Sequence, residues 1–172
     1  MTTKFNPWSL TSAWLLAASL IAVWVWPKFI GLEIHPIFGW AEARSGVGWL
    51  EPNGRYAVGV LAGALAVMLL IRRTRLVAGW AALGLSLVFT LLHLTPWLGI
   101  NIPDYGPLME SLAAGRSVAE IEALGLKGDR GAHFTFAIIN AGLAAMVVGA
   151  EMVKPAAGRR QREYTPMQLG AS

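Results

Sequence analysis

Four long apolar runs dominate this chain of 172 residues and restrict its fold more than any other feature. They cover about residues 8–26, 53–71, 76–100 and 132–153. A helix needs roughly 20 apolar residues to cross the hydrocarbon core of a bilayer. None of the four runs has the polar face of a soluble amphipathic helix. We therefore predict an all-α membrane protein, a bundle of four transmembrane helices in contact with membrane lipids.

Composition supports a membrane class. The chain is 55% hydrophobic and 14% charged, whereas soluble domains carry about a quarter charged residues. Cysteine is absent, which excludes disulfides, thiolate metal sites and cysteine nucleophiles.

Basic residues predict the orientation of the bundle. Eight of the fourteen Lys and Arg residues lie before the first run, between the second and third, or after the fourth. The positive-inside rule places those segments, and with them both termini, in the cytoplasm of a bacterial inner membrane. The net charge of +4 is then a topology signal, and we expect no nucleic acid as a partner.

Residues 1–155 form one predicted membrane domain, and residues 156–172 form a polar, flexible cytoplasmic tail. The first outer loop is too apolar for a solvated linker, so we expect it either to lie in the membrane interface or to fold back over the bundle. In the third loop, apolar residues recur at helical spacing. Short interfacial helices are therefore expected in the outer loops.

Small residues provide the predicted packing faces. The second run carries Gly59 and Gly63, and the fourth carries Ala141, Ala145 and Gly149 at the same spacing. These faces either pack the bundle or dock a partner subunit. Asn140 is the amide within a span, and we expect it to bridge two helices.

Three histidines fall toward the outer side: His35, His93 and His133. His93, in the stretch FTLLHLTPW, lies about seven residues, or roughly 10 Å, inside the predicted end of the third span. It could ligate a haem with His133, or form a quinone site with the aromatic residues Trp97, Tyr105 and Trp49. Alternatively it is a polar anchor, bonded to a loop carbonyl or to Asn140. The spacing supports no metal site.

The layout resembles the DoxX-like membrane proteins. Lys28 in VWPKFIG, the turn RRTRL and His93 in LLHL stand where that family has a lysine after its first helix, a tight basic turn, and a histidine closing its third helix. The glutamate that often follows a glycine in the family's second helix is missing after Gly59. The resemblance implies four helices with both ends inside, and an association with quinone-linked or other membrane redox systems.

No paired carboxylates, nucleophile with a base, or phosphate-binding loop is evident, so we expect no catalytic activity of the chain's own. The predicted function is an auxiliary subunit that docks to other subunits of a larger membrane redox or bioenergetic complex. The alternative is an electron-transfer protein that binds quinone or haem through His93.

Overall fold

The computed structural model describes residues 7–30 and 33–153. The predicted tail, Lys4 and the basic residues that follow the fourth run lie outside the described residues.

Within that part of the chain, four helices are long and apolar enough to span a membrane, which confirms the predicted bundle. They are α1 (Pro7–Phe29), α3 (Leu50–Leu70), α4 (Arg75–His93) and α7 (Ala132–Met152). Three shorter helices occupy the connections, as predicted for the loops: α2 (Pro36–Ser45), α5 (Tyr105–Ala113) and α6 (Val118–Ala123). The end of the bundle with these short helices is called the loop side, and the end with the turn between α3 and α4 is called the turn side.

Two spans depart from regular α-helix near the loop side. In α1, residues Leu20–Val25 are π-helical, a local geometry that is often found at functional sites. In α3, the first five residues, Leu50–Gly54, form an irregular turn in which Glu51 is extended. The second span therefore starts three residues before the predicted Asn53.

The third span is shorter than predicted, since α4 ends at His93 and not at Ile100. Pro96 explains the difference, because proline has no N–H to donate to the carbonyl of Leu92 and disfavours helical geometry at Thr95. The Leu92 carbonyl instead accepts bonds from the backbone N–H and the hydroxyl of Thr95, at 3.1 and 2.7 Å. His93 is consequently the last residue of its helix.

Small residues let α4 and α7 pack closely as antiparallel neighbours. A Cβ atom added to Gly79 would lie 3.1 Å from Val147 and 3.2 Å from Val148. At the turn side the same helices are joined by an ion pair between Arg75 and Glu151, 3.3 Å apart. Because lipid is as apolar as the bundle interior, this packing and these polar contacts stabilise the helix pair.

A second apolar core caps the bundle on the loop side. The α2 helix turns its first half inward, burying Ile37, Phe38 and Trp40. These side chains pack against residues of the third loop, namely Leu98, Ile102, Leu108 and Ile121. The apolar first loop thus folds over the bundle, and this cap encloses the polar groups described next.

Candidate functional site

A buried charged cluster lies where α1 ends and α3 begins. Lys28 is 5% exposed and its ammonium donates to Nε2 of His35, at 2.9 Å. Next to it, Arg55 and Glu51 form an ion pair at 3.0 Å, with side chains that are 3% and 9% exposed. Two cations and one carboxylate are thus held together, and charged groups this deep in a membrane protein are expensive and mark functional sites.

His35 is a neutral member of this cluster. Burial, and then the positive charges of Lys28 and Arg55, lower the pKa of His35 to about 2. Because Nε2 accepts the lysine proton, Nδ1 carries the proton of the neutral ring. That Nδ1 atom is buried and has no hydrogen-bond partner among the described residues.

A second polar group joins the third loop to the start of α7. Nδ1 of His133 donates to a carboxylate oxygen of Asp129, at 2.6 Å. Nε2 of the same ring accepts the hydroxyl proton of Tyr105. The Tyr105 and His133 rings also stack, with centroids 4.7 Å apart. The three side chains form a hydrogen-bonded triad in which each donor points at the next acceptor.

The surroundings shift the pKa values of Tyr105 and Asp129, the two ends of this triad. Burial, and then the charge of Asp129, raise the pKa of Tyr105, so its hydroxyl stays protonated. Burial alone would raise the pKa of Asp129. The carboxylate, however, accepts hydrogen bonds from the side chain and backbone of His133 and from the backbone N–H groups of Ile102 and Gly131. These bonds outweigh burial and lower the pKa of Asp129. Asp129 is therefore a carboxylate that can stabilise an imidazolium.

An apolar cleft of about 200 Å³ opens beside the charged cluster. Phe38, Phe89 and Trp97 provide aromatic walls, and Leu92 and Leu98 add aliphatic surface. Ser45 also lines it, but the surface that faces the cleft is entirely apolar.

Phe38 separates this cleft from the charged cluster. Its ring centroid lies 5.2 Å from the ammonium of Lys28 and 5.5 Å from the ring of His35. A ligand in the cleft would therefore be separated from Lys28 and His35 by one aromatic ring.

The structure separates the residues that the sequence proposed for cofactor binding. Trp97 lines the cleft, whereas His93 and His133 do not. Nδ1 of His93 bonds the carbonyl of Phe89, four residues earlier in its own helix, at 2.8 Å, so the expected bond to a loop carbonyl or to Asn140 is wrong. Nε2 of His93 is buried without a partner in the described chain.

Both ring nitrogens of His133 are occupied by Tyr105 and Asp129. A haem held by His93 and His133 would first have to break the bond to Tyr105. Within residues 7–30 and 33–153, no three His, Asp or Glu side chains meet in a way that could hold a metal ion.

Two of the predicted packing glycines face the first span. A Cβ atom on Gly59 would lie 2.7 Å from the ring of Phe29, and one on Gly63 would lie 3.8 Å from Val25. Asn140 is fully buried, but its amide NH₂ donates to the carbonyl of Phe136 in its own helix, and its amide oxygen has no partner among the described residues, so the predicted bridge between helices is wrong.

The small face of α7 is different. Ala145 and Gly149 are exposed, Ala141 is half-buried, and nothing lies within 4 Å of a Cβ atom added to Gly149. The buried face of this helix runs instead through Ala137, Asn140, Ala144, Val147 and Val148.

Sequence reasoning assigned no site role to Lys28 or Asp129, and it named Tyr105 only as one of the side chains that could form a quinone site. One signal was available for the contact between Asp129 and His133. The two residues are four apart, the spacing that brings side chains together at a helix start. Tyr105 comes from a distant loop, and its contact with His133 had no sequence signal.

No family model matches this chain, and no curated protein or solved structure matches it. The fold itself defines the class: a multi-pass helical membrane protein with buried polar groups at both ends of its bundle.

Proposed function

We propose that this chain is the quinone-holding auxiliary subunit of a membrane redox complex, and that the quinone ring occupies the loop-side cleft. The observation that carries the proposal is the cleft itself. Three aromatic rings line a space of about 200 Å³ at the end of the bundle where the buried charges lie. Ligand sites are typically apolar cavities with a few well-placed polar groups.

The chemistry of a quinone fits this lining. Its flat ring has apolar faces that pack against Phe89 and Trp97, and its isoprenoid tail is as apolar as lipid. The electrons for quinone chemistry would come from a redox group in the partner subunits, which is why we assign the chain an auxiliary role.

Binding can be tested with decylubiquinone, a short-tailed quinone, titrated into the quinone-free protein in nanodiscs and followed by tryptophan fluorescence quenching. Ala41→Leu places a larger side chain in the cleft, whereas Ala43→Leu adds the same bulk to an exposed position of the same helix. We expect Ala41→Leu to raise Kd at least tenfold and Ala43→Leu to leave it unchanged. Equal quenching of wild type and both variants would refute the cleft as the site.

We further propose that partner subunits dock on the exposed small face of α7. Ala145 and Gly149 would let another helix approach closely. Gentle purification from native membranes, followed by mass spectrometry of the intact assembly, should yield a stoichiometric partner. Ala145→Leu should release that partner, and Ala81→Leu, an exposed change on α4, should not. A chain that purifies alone under all gentle conditions would contradict docking.

We also propose a DoxX-like protein of the bacterial inner membrane with its turn side in the cytoplasm. Arg72, Arg73 and Arg75 in the short turn support this orientation. Because the chain has no cysteine, single cysteines report topology cleanly. A membrane-impermeant maleimide should label Ala43→Cys in intact spheroplasts, but Arg73→Cys only after permeabilisation. The reverse pattern would overturn the orientation.

A further inference from the structure

The two buried polar groups at the loop side are arranged end to end. Lys28 donates to His35, and Tyr105 donates to His133, which in turn donates to Asp129. Between the two groups, the His35 and Tyr105 rings meet edge to face with centroids 6.3 Å apart. The five side chains thus run from a buried ammonium to the His133–Asp129 pair, in which the His133 side chain is 23% exposed.

The donors along this line all point the same way. Nε2 of His35 accepts from Lys28, so the ring's proton lies on Nδ1, on the side away from the lysine. Nε2 of His133 accepts from the Tyr105 hydroxyl, while Nδ1 donates to Asp129. The polarity is therefore continuous from Lys28 to Asp129, apart from the contact between His35 and Tyr105.

That contact brings the His35 ring close to the Tyr105 ring, and each ring carries a group that could complete the line. The Nδ1 atom of His35, in a residue only 1% exposed, has no hydrogen-bond partner in the described chain. The hydroxyl of Tyr105 donates its proton to His133 and keeps lone pairs that can accept. The line is complete if this hydroxyl accepts the Nδ1 proton of His35, directly or through one water molecule.

We propose that Lys28, His35, Tyr105, His133 and Asp129 form a proton relay between the buried charged cluster and the loop-side surface. One proton leaves the Lys28 ammonium for Nε2 of His35 as the Nδ1 proton of that ring passes to Tyr105. The tyrosine proton moves to Nε2 of His133. Lys28 ends as a neutral amine, and His133 as an imidazolium paired with the Asp129 carboxylate.

The charges around the relay favour the products of the transfer at both of its ends, a neutral Lys28 and a positively charged His133. Arg55 faces Lys28 as a second buried cation, with Glu51 as their shared counter-charge, so removing the lysine proton relieves repulsion between cations. At the other end, Asp129 faces His133 at 2.6 Å and stabilises its positive charge. His93, the remaining histidine near His133, lies outside the line of bonds.

The relay deepens the proposed function, because it would exchange protons between loop-side water and a quinone one ring away from Lys28. Its test needs no quinone, so the relay and the cleft can fail separately. The hydrogen exchange of the Nδ1–H of His35 with solvent can be measured by NMR on protein labelled with ¹⁵N-histidine in nanodiscs. With three histidines in the chain, the signals are assignable from single variants.

Tyr105→Phe removes the hydroxyl and keeps the ring, and should slow exchange at His35 at least tenfold. Tyr56→Phe is the matched control, because that hydroxyl bonds Arg55 in the same cluster but lies outside the relay. His133→Gln should slow exchange as Tyr105→Phe does, and unchanged histidine chemical shifts at His35 verify the fold of each variant. Exchange as fast in Tyr105→Phe and His133→Gln as in wild type would overturn the relay.

Discussion

Replacing Asp129 by asparagine tests the geometry of the candidate site most sharply, because one carboxylate holds it together. Oδ1 accepts the backbone N–H groups of Ile102 and Gly131, both at 3.0 Å. Oδ2 accepts the backbone N–H of His133 at 3.1 Å and its ring Nδ1 at 2.6 Å. The side chain is 9% exposed, so these bonds are protected from solvent.

Asparagine can keep one oxygen for Ile102 and Gly131, but it presents an NH₂ group where His133 needs an acceptor. Hydrogen bonds to charged groups are worth about 1.5–3 kcal/mol each. Allowing for relaxation, Asp129→Asn should lower the free energy of unfolding by about 3 kcal/mol, measured by tryptophan fluorescence in mixed detergent–SDS micelles at pH 7.

The effect should also depend on pH. Because the pKa of Asp129 is lowered in the folded state, its contribution is present above the ordinary aspartate pKa and is lost as pH falls through the folded value. The difference between wild type and variant should therefore shrink in acid. Asp104→Asn, in the same loop, is the control and should change stability by less than about 0.5 kcal/mol. A loss no larger than that control at Asp129 would refute the relay geometry.

Three further outcomes are expected in the same unfolding assay. Gly59→Ala places a Cβ atom 2.7 Å from an aromatic ring of α1 and should cost about 1–2 kcal/mol, whereas Gly84→Ala meets nothing within 4 Å and should stabilise slightly; equal effects would contradict the packing of α1 on α3. Because the pKa of His35 is lowered to about 2, the unfolded chain takes up a proton below about pH 6.5 at this residue and the folded chain does not. The free energy of unfolding of the wild type should therefore fall by up to about 1.4 kcal/mol per pH unit between pH 6 and 5. A His35→Gln variant with the same slope would show that His35 is not the cause. Glu151→Gln removes the carboxylate from its partly buried arginine pair and should cost about 2 kcal/mol, and no measurable change would mean that solvent screens the pair.

The spans could be predicted from the sequence because the bilayer imposes length and apolarity on each of them. Their ends were harder to predict, as α4 illustrates. Hydropathy continues from His93 through Ile100, but Pro96 ends the hydrogen-bond ladder, and backbone chemistry decides there. The helices of the third loop were predictable from apolar residues at helical spacing, and the apolarity of the first loop made folding over the bundle one of two expectations. The joint packing of the two loops into a second core was not predictable.

The candidate site was only partly predictable. Trp97 was chosen for its aromatic ring near a span end, and it lines the cleft. The partners of His35 and His133 could not be derived, because Lys28, Tyr105 and Asp129 are brought to them by the way the first and third loops fold over the bundle. Contacts between residues as far apart as Tyr105 and His133 depend on tertiary packing, which a local pattern does not encode.

Photolabelling with an azidoquinone, followed by peptide mapping, is the most direct test of a quinone site in the loop-side cleft, because it locates the ligand on the chain without assuming an activity. The account predicts that labelled sites concentrate in residues 37–50 and 89–98, the two segments that line the loop-side cleft, and that excess decylubiquinone suppresses the labelling. Labelling spread evenly over the exposed faces of α1, α3, α4 and α7, and insensitive to competitor, would contradict a quinone site in this protein.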